Sequence, residues 1–235
     1  REERDLFAAV ASSAAESAQA ALLDISTLRP EFEVKITQIR NDAVSLSQSL
    51  EYETVTLGDF LERSTERLGD AEEPEVLTCT ESGGLILQRE RFAKRVATED
   101  ATKYKVVRRG DIVYNPYLLW KGSIDQCWIV ETGITSPAYE IFRVRDGWHR
   151  TLLGEIVISD EMIRRYDGIS FGTVQRRRRA APENFLAMKV RVPIGPVAQE
   201  LASLLEVARA CQLAGRTTER SFKELVSELA TGVPS

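Results

Sequence analysis

Histidine occurs once in the 235 residues, as His149, and cysteine three times, as Cys79, Cys127 and Cys211, with no Cys-x-x-Cys spacing. A structural zinc site draws about four soft ligands from short spacings, so that class is excluded. Three cysteines cannot all pair within one chain. Asp146-Gly147-Trp148-His149-Arg150 reads as a polar turn, and a lone histidine gives little support to a histidine-activated nucleophile. No run of about 18 consecutive apolar residues is present, which argues against a membrane-spanning helix. The opening Arg1-Glu2-Glu3-Arg4 leads into an Ala/Ser-rich segment too regularly polar for a signal-peptide core. The expectation is a soluble, cytoplasmic chain.

Missing too are the glycine patterns of nucleotide enzymes and hydrolases. There is no Gly-x-x-x-x-Gly-Lys-Ser/Thr loop, no Gly-x-Gly-x-x-Gly fingerprint and no Gly-x-Ser-x-Gly elbow. Tyr114-Asn115-Pro116-Tyr117 is similar to the Asn-Pro-Pro-Tyr loop of adenine amino-methyltransferases. It lacks the second proline, and no glycine-rich turn precedes it, so it reads as a strand end turned by proline. The acidic pair Glu72-Glu73 reads as solvated surface. No catalytic residue and no metal ligand emerge.

What is present is an ordinary globular composition, 43% hydrophobic and 29% charged, with a net charge of −5. The charge is unevenly spread. Glu51 to Ser82 holds ten acids and two bases, net −8; Gly84 to Lys121 holds nine bases and four acids, net +5; Glu161 to Arg191 holds eight and three, again +5. Phosphate responds to the local field rather than the total, so an acidic chain can still present a basic face.

Three regions separate by pattern. Residues 1–50 form an N-terminal helical region: an Ala-rich stretch from Leu6 to Asp24, a break at Arg29-Pro30, then a second helix. In that helix Phe32, Ile36, Ile39, Ala43, Leu46 and Leu50 follow steps of 4, 3, 4, 3 and 4, a heptad seam. Residues 51–193 alternate short apolar runs with Gly, Pro, Asp and Asn. Val76–Thr80, Asp111–Tyr114, Cys127–Val130 and Tyr139–Val144 read as strands, and Leu57–Arg67, Trp148–Ser159 and Asp160–Tyr166 as helices. Residues 194–235 are helical again. Val197, Leu201, Leu204, Ala208 and Cys211 lie on a seam that weakens near Gly215 and resumes at Phe222, Leu225 and Leu229. The fold class expected is α+β: one mixed domain with a strongly curved sheet, flanked by long helices able to form coiled coils. Phe32, Ile36, Ile39, Leu46, Leu50, Leu201, Leu204, Phe222 and Leu225 are the candidate dimer or subunit interface.

Cations cluster around aromatics and Gly/Ser loops, from Gln88 to Arg95 and in Ser170-Phe171-Gly172-Thr173-Val174-Gln175 followed by Arg176-Arg177-Arg178-Arg179. Such loops are either solvated surface or nucleic-acid contacts, and two in one domain favour the second. The DNA-binding candidates are Arg89, Lys94, Arg95, Lys121, Arg176, Arg177, Arg178 and Arg179, with Tyr114 and Asn115 nearby.

The order of short motifs then becomes informative. Val55-Thr56-Leu57-Gly58-Asp59, Ser82-Gly83-Gly84-Leu85-Ile86 and Lys103-Tyr104-Lys105-Val106-Val107-Arg108-Arg109-Gly110-Asp111-Ile112-Val113-Tyr114-Asn115-Pro116 come first. Gly122-Ser123-Ile124, Gly133-Ile134-Thr135-Ser136-Pro137-Ala138-Tyr139, Ile169-Ser170-Phe171-Gly172 and Asn184-Phe185-Leu186 through Val192-Pro193-Ile194 and Gln199 follow. Together, over about residues 52–231, they resemble the target recognition domain and spacer helix of specificity subunits of type I restriction–modification systems. The resemblance implies a non-catalytic reader of one half of a split double-stranded DNA site. Its partners would be an adenine methyltransferase (modification) subunit, which would carry S-adenosylmethionine, and a restriction subunit as a further candidate. No cofactor is implied in this chain. Gly110 and Asp111 match the family's most recurrent pair and read as turn-forming.

A full specificity subunit carries two such domains and two spacer helices; this chain has one domain between helical regions. Either two copies pair as a homodimer, giving two-fold related half-sites, or residues 1–50 are the tail of a preceding helical domain in a longer protein. Two other readings stay open: the DNA-reading part of a fused restriction enzyme–methyltransferase, and a coiled-coil adaptor that binds protein.

Overall fold

The computed structural model describes residues 23, 27, 28, 30–45, 51–81, 84–91, 101–172 and 178–231. Within Gln199 to Thr231 the side chains of Arg216, Phe222 and 224–231 lie outside that description, as does that of Val197. The chain divides into two units, one of Arg1–Arg40 with Val207–Ser235 and one of Asn41–Glu206.

The elements run as α1 (residues 30–45), β1 (Tyr52–Thr56), α2 (Leu57–Phe60), β2 (Leu61–Ser64), β3 (Glu75–Thr80), β4 (Gly84–Leu87) and α3 (Gln88–Arg91). Then come β5 (Lys105–Arg108), β6 (Ile112–Tyr114), β7 (Ile124–Gln126), β8 (Thr132–Thr135), β9 (Glu140–Val144), α4 (Arg150–Val157) and α5 (Asp160–Tyr166). β10 (Ser170–Phe171), β11 (Arg179–Ala180), α6 (Pro182–Leu186), β12 (Lys189–Pro193) and α7 (Pro196–Thr231) follow among the described residues.

The expected single curved sheet is instead two four-stranded sheets, in the orders β2-β9-β6-β7 and β4-β3-β8-β5, with two-stranded ladders β1-β12 and β10-β11. The second sheet is mixed, because β3 runs parallel to β8. Alternation along β6 shows how the first sheet is used. Ile112 and Tyr114 face one core with Phe60, Phe142, Leu152, Tyr166 and Phe185, whereas Val113 faces a second core with Leu77, Leu85, Val107 and Ile141. The first sheet is therefore covered on both faces, by helices on one side and by the second sheet on the other. That explains an uninterrupted apolar run at Ile112-Val113-Tyr114.

Two sequence expectations fail here for identifiable reasons. Leu57–Arg67 is helical for only one turn: Asp59 accepts from the Thr56 amide at 2.6 Å in a capping box, and from Leu61 the chain is extended and pairs with Val144 to Ile141. Pairing with β9 overrides the helix propensity of Leu61 to Arg67. Cys127–Val130 is not a strand. β7 ends at Gln126; Cys127 still bonds Asp111 and Gly110, and the turn at Gly110 then leaves nothing further on β6 to pair with. Asp160–Tyr166 forms as expected, capped by Ser159.

The C-terminal helix extends without interruption through Gly215, over 36 residues or about 54 Å. Its buried positions are Ala198, Leu201, Ala202, Leu205, Ala208, Arg209, Gln212 and Glu219, a stripe displaced by about one residue from the expected seam. Leu204 is half exposed and Cys211 exposed, while Leu201 belongs to the chain's own core. In the helical unit, Gln212 donates to Glu33 at 2.6 Å and Phe32 lies 3.7 Å from where a Cβ on Gly215 would be.

Candidate nucleic-acid interface

Two short segments are clamped together near the arginine run. After β6, Asn115 accepts through Oδ1 from the Tyr117 amide at 3.1 Å, and its own amide donates to the Ser123 carbonyl at 3.0 Å. This turn carries Pro116 to Lys121 across the surface and ends at Gly122, whose φ of +86° suits glycine. The carbonyl of Pro116 accepts from the Ala180 amide at 2.9 Å, which docks the β10–β11 ladder on the turn.

Arg178 locks the arrangement. Its guanidinium donates to the Ser170 carbonyl (3.0 Å), the Asp167 carbonyl (2.9 Å) and the Asp167 carboxylate (2.7 Å), and lies 4.8 Å from the Trp120 ring centroid. A residue expected to touch DNA is thus largely engaged in holding its own hairpin.

Beside it lies a buried carboxylate. Glu140, at the start of β9, is 2% exposed. Its Oε2 accepts from Arg63 on β2 (2.8 and 3.0 Å) and pairs with Lys105 Nζ on β5 (3.3 Å), while Oε1 lies 3.6 Å from Arg179 on β11. Lys105 also donates to the Tyr139 carbonyl at 2.5 Å. Burying a lone carboxylate costs several kcal/mol, and here cations from three separate strands offset that cost.

The Gly110-Asp111 pair forms the link between the two main sheets, at the turn from β5 to β6. Gly110 has φ +88°, and the Asp111 amide donates to the Arg108 carbonyl at 3.0 Å. The Asp111 carboxylate accepts from the Arg108 amide (2.9 Å) and from Arg143 Nε (3.2 Å). Burial pushes its pKa above the ordinary aspartate value, against the opposing pull of those donors. The turn-forming reading of this pair agrees with the geometry.

The other expected contacts scatter. Tyr114 is a correction: it is fully buried, stacked on Phe142 and packed against Phe185, with its hydroxyl donating to the Ala180 carbonyl at 3.3 Å. Burial also drives its phenol well above the usual range. It cannot meet a base; the apolar run that made a strand also made its last residue a core residue. Asn115 serves the turn. Arg89 pairs with Glu75 at 2.8 Å and Lys121 with Glu81 at 3.6 Å, both at the surface. Lys94, Arg95, Arg176 and Arg177 lie outside the described residues.

Among the interface candidates, Leu201 and Ile36 are corrections, both buried within the chain and so unavailable to a second copy. Phe32, Ile39 and Leu204 are 40%, 41% and 48% exposed. Leu46 and Leu50, and the side chains of Phe222 and Leu225, lie outside the described residues. Sequence reasoning passed over Arg63 and Glu140 for this site, and placed Lys105 and Phe171 in basic and aromatic motifs without naming either as a DNA contact. Arg63 sits in the most acidic stretch of the chain, where a helix was expected, and only strand pairing brings it to Glu140.

Among the described residues no group of acids, cysteines or histidine could hold a metal ion, and no helix is long and apolar enough to cross a membrane. Cys79 and Cys127 are buried, and burial pushes Cys127 up to about 12.

No family model matches the chain, and no curated protein matches it. Solved structures do. The likeness is to specificity subunits of type I restriction–modification systems. The HsdS subunit from Thermoanaerobacter tengcongensis is 10% identical, with 92% of this chain and 56% of that chain covered and a TM-score of 0.42. The type I S subunit from M. genitalium is 10% identical, covering 95% and 57%, with a TM-score of 0.48. A chain from a structure on complex assembly and conformational transition of the type I R-M system is 12% identical, covering 91% and 56%, with a TM-score of 0.44. The chain spans little more than half the length of each.

Proposed function

We propose that this chain reads one half of a split DNA site and directs a partner adenine methyltransferase to it, without catalysing a reaction itself. The observation that carries the reading is the ordered series of motifs from Val55 to Gln199, including Lys103 to Pro116, which falls on structurally distinct parts of one module. Gly110-Asp111 turns between the two sheets, and Asn115-Pro116 turns into the segment that docks the arginine-bearing hairpin. In this reading residues 51–193 are the DNA-reading domain. The segments 1–50 and 194–235 are helical arms through which two copies pair and which dock the modification subunits, with S-adenosylmethionine held by those subunits. A restriction subunit joins where cleavage follows.

Affinity would come chiefly from Lys and Arg on phosphates and would fall with salt, whereas loop side chains on base edges would each contribute about 1–3 kcal/mol of discrimination. The test is the adenine methylation map of the native host with and without the gene. Loss of methylation at one split motif supports the reading, and the symmetry of that motif reports self-pairing. An unchanged map, with the methyltransferase expressed, overturns it.

A further inference from the structure

Cross-strand partners in a ladder point to the same face. In the β10–β11 ladder Ser170 and Ala180 pair facing inward and are buried, while Phe171 and Arg179 pair facing outward. Phe171 is 64% exposed, an unusual position for a phenylalanine in a two-residue ladder pinned at both strands. Arg179 leads from there to Glu140, and through Glu140 to Arg63 and Lys105.

Three cations share one carboxylate in this cluster, an excess of two positive charges. Glu183, whose charge also reaches Tyr114, lowers the excess to one if it is counted. Glu140 is too buried to meet a ligand, but Arg63 and Arg179 keep 36% and 52% of their side chains at the surface. Each therefore has guanidinium surface left for an outside acceptor.

We propose that Arg63, Arg179 and Phe171 form one nucleotide-contact subsite for duplex DNA. The two guanidiniums take a backbone phosphate, and the phenyl ring packs on the adjoining deoxyribose or base edge. Glu140 is the positioning residue, holding arginines from β2 and β11 toward one point. The inference rests on the DNA-reading proposal above and deepens it. Charge complementarity selects the occupant: a cationic cluster beside an exposed ring fits a polyanion that presents apolar sugars and base edges along its grooves.

The experiment titrates the full chain with a random-sequence DNA duplex over a range of salt concentrations. The variants are Arg179→Gln, Arg179→Lys, Phe171→Ala and Arg145→Gln. Arg145 is a surface arginine paired with Glu62 just beyond the other end of β9, and controls for loss of charge in general. Arg179→Gln is expected to reduce the slope of log K against log salt by about 0.9, one phosphate contact, and Arg179→Lys to restore it. Phe171→Ala is expected to leave the slope alone and weaken binding roughly tenfold. Arg145→Gln should change neither. Thermal unfolding of each variant guards against misfolding, which these exposed positions make easy to avoid. If the unsubstituted chain binds duplex but Arg179→Gln and Phe171→Ala behave like Arg145→Gln, the subsite is wrong and the DNA-reading proposal survives. If the unsubstituted chain binds no duplex, both fall.

Discussion

A Cβ placed on Gly154 would lie 2.0 Å from Oε1 of Gln126, far inside contact distance. Gln126 is nearly inaccessible; its amide donates to the Gly110 carbonyl (3.0 Å) and the Arg150 carbonyl (3.1 Å) and accepts from the Trp128 indole (3.0 Å). One side chain thereby ties the turn between the sheets to the start of α4. Gly154→Ala is expected to lower the unfolding free energy by about 1–3 kcal/mol through overpacking. A urea midpoint equal to that of the unsubstituted chain would contradict this packing.

Tyr114 is expected to matter for stability and not for recognition. Tyr114→Phe removes one hydrogen bond, a loss of about 1 kcal/mol. Tyr114→Ala opens the aromatic core with Phe142 and Phe185 and should cost about 3–5 kcal/mol. Duplex affinity of the folded Tyr114→Phe variant, read by anisotropy, should match the unsubstituted chain.

Glu66 and Asp111 flank Arg108 and should give opposite pH dependences. The hydrogen bond from Arg108 holds Glu66 below the ordinary value of 4.5. Its contribution is present above that value and is lost as pH falls through the lowered pKa. Asp111 is raised above 3.8 by burial, so its contribution is fullest below 3.8 and declines as pH rises through the raised pKa. Glu66→Gln should therefore destabilise at neutral pH, by under about 1 kcal/mol because the pair is half exposed, and have little effect in strong acid. Denaturant midpoints at both pH extremes check the sign.

Thiol chemistry should separate the cysteines cleanly. Cys211 is exposed, whereas Cys79 and Cys127 are buried with raised pKa values. A maleimide at neutral pH is expected to label one site per native chain, and three after unfolding. Rapid native labelling of Cys127, located by peptide mapping, would argue against the second core.

Much of the fold was legible because it is written in local signals. Strands at Val76–Thr80 and Tyr139–Val144, the Ser159-capped helix and the long final helix each carry their own periodicity and caps. Leu57–Arg67 and Cys127–Val130 misled because the outcome depends on which strand is available to pair, and no local window contains that. Of the candidate site, its cationic character was legible but the partners of each cation were not. Arginine-rich loops are visible in a sequence, but the carboxylate each arginine meets is not: Arg178 finds Asp167 and Arg179 finds Glu140 only after the hairpin docks on Pro116. The seam on the final helix was displaced by about one residue because small residues, Ala198 and Ala202, take inward positions that a search for leucines overlooks.

β1 and β12 pair from Tyr52↔Pro193 to Thr56↔Lys189, and the Ile194 amide donates to the Glu51 carbonyl at 3.0 Å. The chain thus enters and leaves the span 52–193 through adjacent doors, about 5 Å apart at the strand ends. Topologically the span is a cassette on a zipped stem. Its contents can be exchanged for another span ending in the same two strands without altering where the flanking chain must begin and resume. A lineage could then exchange the whole span in a single recombination event, keeping the stem as the splice.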